Sequence, residues 1–199
     1  MKKGCLIALV VAIALGFALY GWVKGTYNGL VKSQENVEAA WAQVENVYQR
    51  RADLIPNLVE TVKGYAKHEQ ETLEGVIEAR AKATSVQVDA SNLDEAQMKK
   101  FQEAQGELTQ ALSRLIAVSE SYPDLKANQN FLEFQSQLEG TENRIAVSIQ
   151  NFNEAAREYN TQVRSFPANI LAGIFGFDRK PYFEAQAGAD KAPKVDFEN

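Results

Sequence analysis

Three patterns of apolar and polar positions divide the chain. Residues 6–23, LIALVVAIALGFALYGWV, are eighteen consecutive uncharged positions. A helix needs about 17–25 such residues to cross a hydrocarbon core, so this run predicts a membrane-spanning segment. Tyr20 and Trp22 lie at its end, where aromatic rings favour the interface. Beyond the run the period changes. Leu30, Gln34, Val37, Trp41, Val44, Tyr48, Arg51, Ile55, Leu58, Val62 and Tyr65 alternate steps of four and three, a heptad seam interrupted by polar groups only at Gln34 and Arg51. Phe101, Ala104, Leu108, Ala111, Leu115 and Val118 repeat the logic, and Leu138, Ile145, Ile149, Phe152, Ala156, Tyr159, Val163 and Phe166 form a third seam.

Breaks between the seams follow from local chemistry. The five prolines are Pro56, Pro123, Pro167, Pro181 and Pro193, which leaves two long proline-free blocks of the kind long helices require. Asp94 and Glu95 suit the start of the second seam, where carboxylates complement the helix dipole. That helix is expected to stop near Ser121, because Tyr122-Pro123-Asp124 signals a turn and the residue before proline avoids helical geometry. The third helix is expected to end at Pro167. The first, if unbroken to about Thr84, overhangs its partners, with Gly64 and Gly75 marking where it can bend or fray; residues 86–92 read as the first polar connection.

Helices of about 28–55 residues are about 40–80 Å long and must pack against each other lengthwise. The predicted fold is therefore all-α: an N-terminal transmembrane helix, then an elongated antiparallel bundle of three long helices plus a short C-terminal helix, four-helix and up-and-down-like. Residues 1–25 are the anchor, 26–177 the bundle and 178–199 a disordered tail. Residues 168–177 are apolar but too short to span a bilayer, and are expected to cap the bundle or touch the membrane surface.

A cleaved secretory signal is the competing reading of the N-terminus, since Lys2 and Lys3 make a short positive region and Gly16-Phe17-Ala18 is a passable cleavage site. The apolar stretch continues past that site to Val23, which favours a retained anchor. Cys5, the single cysteine, precedes the run, opposite to a lipoprotein signal, and excludes an internal disulfide. Lys2 and Lys3 balance Lys24 and Lys32, so the positive-inside count leaves orientation open. The net charge of −5, with Lys and Arg dispersed among acidic residues, argues against a nucleic-acid partner.

The chemistry on offer is sparse. Arg50, Arg51, Asp53 and Asn57 fall within two turns, and Pro56 removes the amide that would bond the Ala52 carbonyl, leaving an acceptor for a side chain or water. We read this patch as structural, with Arg51 pairing across the bundle with Glu142; a ligand or partner site is the competing reading. His68 is the only histidine and has Tyr65 where a Glu-x-x-His motif needs its glutamate, so a di-iron bundle is excluded. It is read as a residue of a polar helix face. No Gly-x-Ser-x-Gly elbow or phosphate-binding glycine loop occurs. No catalytic, cofactor-binding or metal residue is assigned, no cofactor or small-molecule substrate is inferred, and the chain is read as a non-enzyme.

Several segments resemble the LemA family of bacterial membrane proteins: Tyr27-Asn28-Gly29-Leu30-Val31, Ala40-Trp41-Ala42-Gln43-Val44, and the run from Gln49-Arg50-Arg51-Ala52-Asp53 through Leu54-Ile55-Pro56-Asn57-Leu58-Val59. Tyr122-Pro123-Asp124-Leu125 with Asn128 and Phe131, Thr141-Glu142-Asn143-Arg144-Ile145, and Tyr159-Asn160 add to the likeness, which extends to about Phe183. One departure is AVSIQNFN at residues 146–153, where the family usually carries arginines ending in Tyr-Asn; a function of those arginines is not carried over. The resemblance implies one membrane helix and a long-helix bundle, and no reaction. The expected function is a membrane-anchored, non-catalytic interaction or scaffold protein of the bacterial envelope, single-pass, with the lipid bilayer and other envelope proteins as partners. The alternative is a regulatory accessory subunit of a membrane peptidase or transporter.

Overall fold

The computed structural model describes residues 2–184. Its elements are α1 (Lys2–Tyr65), α2 (Gln70–Ser85), α3 (Glu95–Val118), a short 3-10 turn (Ser119–Ser121), α4 (Pro123–Lys126), α5 (Gln129–Arg164) and α6 (Ala168–Phe175). The all-α class is as expected. The apolar run and the first seam form one unbroken helix of 64 residues, about 96 Å long at 1.5 Å per residue. Its apolar window, with a mean hydropathy of 2.4, makes α1 a candidate membrane span and contains no buried residue. Burial begins at Leu30 and follows the predicted seam through Val37, Trp41, Val44, Arg51, Ile55, Leu58 and Val62.

The bundle differs from three long helices in one respect. The first block does not continue to Thr84. Just past Gly64 the chain turns at residues 66–69, and α2 runs back antiparallel along α1 and then packs on α3. Ala66 is buried in this turn, while the seam position Tyr65 is exposed and its hydroxyl accepts from Asn128 Nδ2 at 2.9 Å. α5 lies antiparallel against α1 along most of the bundle, the most extensive contact in the fold. Phe166, counted in the third seam, lies beyond α5 and is 82 % exposed.

α2 is only 16 residues long, so a fourth helix covers half of the bundle. The half farther from the apolar run has an aliphatic core from α1, α2, α3, α4 and α5, including Ile55, Leu58, Val62, Val76, Leu108 and Leu115. The nearer half lacks α2. There, residues 86–94 and 177–184 run along the bundle, and Val86, Val88, Leu93, Phe177 and Phe183 join Trp41, Phe101, Phe152 and Tyr159 in a core rich in rings. The chain reaches that half from α6 through Gly176, whose φ of 73° ends the helix in a left-handed cap, with Phe177 N–H donating to the Ala172 carbonyl at 2.9 Å. Residues 178–184, the start of the expected tail, lie against the bundle with Phe183 and Lys180 buried. Residues 185–199 of the expected tail lie outside the described residues.

Candidate functional site

At the junction of the two cores α1 presents Arg51, 1 % exposed on the apolar seam. Burying an unpaired guanidinium is prohibitive, so its neighbours must supply acceptors. Nη1 donates to Glu142 Oε1 at 2.9 Å and to Thr109 Oγ1 at 3.0 Å; Nη2 donates to Gln105 Oε1 at 2.6 Å and to the Gln105 carbonyl at 3.3 Å. The guanidinium carbon also lies 4.9 Å from the Tyr48 ring centroid, within cation–π range. Arg51 Nε has no partner among the described residues. One residue of α1 is thereby tied to both α3 and α5, and the Arg51–Glu142 pair read from the sequence is present.

Arg51 and Glu142 bring one basic and one acidic side chain to this node. Burial pushes the Tyr48 hydroxyl up to about 12; the Arg51 charge pulls it down and the Glu142 charge adds to the rise. Tyr48 is thus a neutral phenol at neutral pH, neither base nor nucleophile. Beside the node a groove of about 1810 Å³ extends past Met98 and Gln102 of α3, Ile145 and Ile149 of α5, and residues 178–184. It offers a long surface of mixed polarity.

A second constellation clasps the C-terminal segment. Asn153 Oδ1 accepts from Phe183 N–H at 2.9 Å and its Nδ2 donates to the Phe183 carbonyl at 3.2 Å. One helical span further on, Asn160 does the same for Lys180, at 2.9 and 2.8 Å. Each carboxamide satisfies both backbone groups of an extended residue as a neighbouring strand would. The Phe183 ring then stacks on Trp41 at 5.8 Å and meets Phe101 and Phe152 edge-on at 6.3 and 5.6 Å. Lys180 Nζ donates to the Ser91 carbonyl, joining the two extended segments. Burial, above all, lowers the Lys180 ammonium below the usual lysine range, against the opposing pull of Glu38, Asp89 and Asp178.

The remaining sequence-selected residues are scattered. Arg50, Asp53 and Asn57 are exposed, Asp53 accepting from Gln49 within its own helix at 2.7 Å. The Ala52 carbonyl freed by Pro56 accepts from Arg80 Nε of α2 at 2.8 Å, so the vacant acceptor is filled by a side chain. His68 is exposed in the turn before α2, not on a helix face. Among the described residues no three His, Cys, Asp or Glu side chains gather as a metal site. Sequence reading missed Gln105, Thr109, Arg80 and the Asn153 and Asn160 clasps. The one available signal was the Tyr159-Asn160 pair, which gives no hint of an extended partner twenty residues later.

The geometry can be set beside known proteins. The chain is 26% identical over 160 residues to Protein LemA of Metamycoplasma hominis, covering 80% of this chain and 69% of that protein. It is 27% identical over 199 residues to Magnetosome protein MamQ 2 of Paramagnetospirillum magneticum, covering 92% and 73%. With Magnetosome protein MamQ of Magnetospirillum gryphiswaldense it shares 29% identity over 181 residues, covering 82% and 66%. The family described as LemA family matches residues 40–197, from the middle of the α1 seam through the C-terminal segment, and the chain therefore belongs to the LemA family.

Proposed function

We propose that this LemA-family chain is a single-pass membrane-anchored, non-catalytic scaffold of the bacterial envelope, presenting its helical bundle to other envelope proteins. One observation carries the reading: the apolar run and the first core helix are a single unbroken helix, so whatever holds residues 6–23 also holds the bundle. The groove beside Arg51 supplies a long surface of mixed polarity suited to helical or extended partners, while the buried charge beside it is already paired with Glu142. Cys5 stands at the start of the apolar run and His68 in a surface turn, so neither is placed for chemistry beside the groove. The names of the relatives, a LemA protein and magnetosome proteins, describe no reaction.

The test has two parts. Val11→Arg places a charge inside the span, toward a centre where such a group costs about 2.5–3.5 kcal/mol on insertion scales, and should weaken recovery in the membrane fraction with the bundle still helical. Proximity crosslinking from exposed bundle positions should then capture several envelope proteins from wild-type cells. A single stoichiometric partner would instead make the chain an accessory subunit, and unchanged membrane recovery of Val11→Arg would remove the anchoring reading.

A further inference from the structure

α6 caps the bundle with only one of its faces. Leu171 and Ala172 are buried, whereas Phe166, Ile170, Ile174 and Phe175 are 82 %, 52 %, 69 % and 50 % exposed. No residue from Ser165 to Phe177 is charged, while Arg164 and Asp178-Arg179 flank the segment. Exposed apolar patches of this kind mark surfaces that meet something. Their position says what. Phe175 and Phe177 pack edge-on against Tyr27 of α1 at 5.0 and 5.6 Å. Tyr27 is four residues beyond Val23, the last of the apolar run, hence about 6 Å further along the helix axis. The interfacial layer of a bilayer is itself about 5–8 Å deep on each side. An exposed α6 at that level lies in the headgroup layer whenever residues 6–23 lie in the hydrocarbon.

The length of the run points the same way. Eighteen residues span about 27 Å against a hydrocarbon core of about 30 Å, so the span is slightly short. Such a mismatch draws the flanking structure toward the bilayer, and Lys24 has a long stem able to snorkel outward as it does so. We infer that α6 with Phe166 is an interfacial foot: a second membrane contact, formed by Phe166, Ile170, Ile174 and Phe175, that seats the base of the bundle in the headgroup layer of a phospholipid bilayer. This rests on the anchoring reading above. It makes the bundle a rigid pillar held at two points, so the groove beside Arg51 keeps a fixed height and facing relative to the membrane.

Cys5 is the only cysteine, so a Cys5→Ser background allows single labels to be placed at will. Full-length protein carrying an environment-sensitive fluorophore at Phe17→Cys, Ile174→Cys or Arg114→Cys would be reconstituted into phosphatidylethanolamine and phosphatidylglycerol vesicles, with and without lipids brominated high on the acyl chain. The foot requires a blue shift and loss of emission at position 174 as well as at 17, with 114 unchanged, and the loss at 174 should persist in high salt because the contact is apolar. Quenching at 17 without quenching at 174 overturns the foot while leaving the anchor standing. Absence of quenching at 17 removes the anchor and the foot together. Quenching at 114 as well would mean that the whole bundle lies on the bilayer, which also overturns a contact confined to α6. Ile174→Asp, at a largely exposed position, should retain helicity and abolish quenching from a second label at Ile170→Cys.

Discussion

The two halves of the bundle share α1, α3 and α5 but are closed by different means. The far half is a four-helix core of mainly aliphatic side chains, with α2 as its fourth wall. In the near half that wall is missing, and two extended segments fill the gap with aromatic rings and asparagine clasps. A helix closes a core through periodicity alone, because its backbone is already hydrogen-bonded. An extended segment has unpaired amides and carbonyls, so it needs side chains that bond to them. The far half therefore depends on packing, and the near half on packing plus a few specific polar contacts.

This difference explains what was legible beforehand. The seams of α1, α3 and α5 were readable because a 3.6-residue repeat declares its buried face, and Val37, Trp41, Ile55, Leu108, Phe152 and Tyr159 are buried as the spacing requires. Arg51 stood out as a charge on an apolar stripe, which is why its pairing with Glu142 could be anticipated. Residues 86–94 and 178–184 carry no period. Residues 86–92 looked like a linker and 178–184 like part of a tail, and only the folded partner shows that Leu93, just past that linker, and Phe183 are core. The α2 turn was half legible: Gly64 and Gly75 were both plausible breaks, and the choice is made by tertiary packing of Ala66, Leu73 and Val76 on the far core.

Substitutions can break the comparison in order of size. Trp41 touches Phe101, Phe152 and Phe183 and is fully buried, so Trp41→Ala should cost about 3–5 kcal/mol in unfolding experiments. Trp41→Phe should cost much less, because the buried indole N–H has no partner to lose among the described residues. If Gln43→Ala on the exposed face costs as much as Trp41→Ala, the seam is misplaced.

Arg51 tests the junction. Arg51→Ala should cost about 3 kcal/mol, the low end for breaking a buried pair, because the Glu142 side chain is 48% exposed and can rehydrate. The same exposure should hold the Arg51–Glu142 coupling in a double-mutant cycle to about 0.5–1 kcal/mol. Arg50→Ala, at an exposed position, should lie within about 0.5 kcal/mol of wild type. Strict additivity between Arg51 and Glu142 would show that the bridge adds nothing.

In the far half, Arg80→Ala leaves the Ala52 carbonyl without its donor and should cost about 1.5 kcal/mol, a typical value for a hydrogen bond from a charged group. Pro56→Ala restores a helical amide to that carbonyl, so in that background Arg80→Ala should cost less. An undiminished cost would mean that Arg80 acts through other contacts.

The near half also carries a pH effect. Burial raises Tyr48 and Tyr159 to about 12 from an ordinary 10.0. Between those values the unfolded chain has lost these protons and the folded chain retains them. Stability should be unaffected by these groups below pH 10 and fall as pH rises from about 10 to 12. Tyr48→Phe and Tyr159→Phe should each remove tyrosinate absorbance that develops near pH 12; absorbance lost near pH 10 instead would contradict the burial of both rings.

Residues 177–184 complete the near core through Phe177 and Phe183. Hydrogen exchange on full-length protein in bilayer discs, compared with the same protein truncated after Gly176, measures this residue by residue. Amides around Phe101 in α3 and from Phe152 to Val163 in α5 should lose protection, while those around Leu108 to Leu115 and Phe131 to Leu138 keep it. Protection unchanged throughout, or lost equally in both halves, would contradict it.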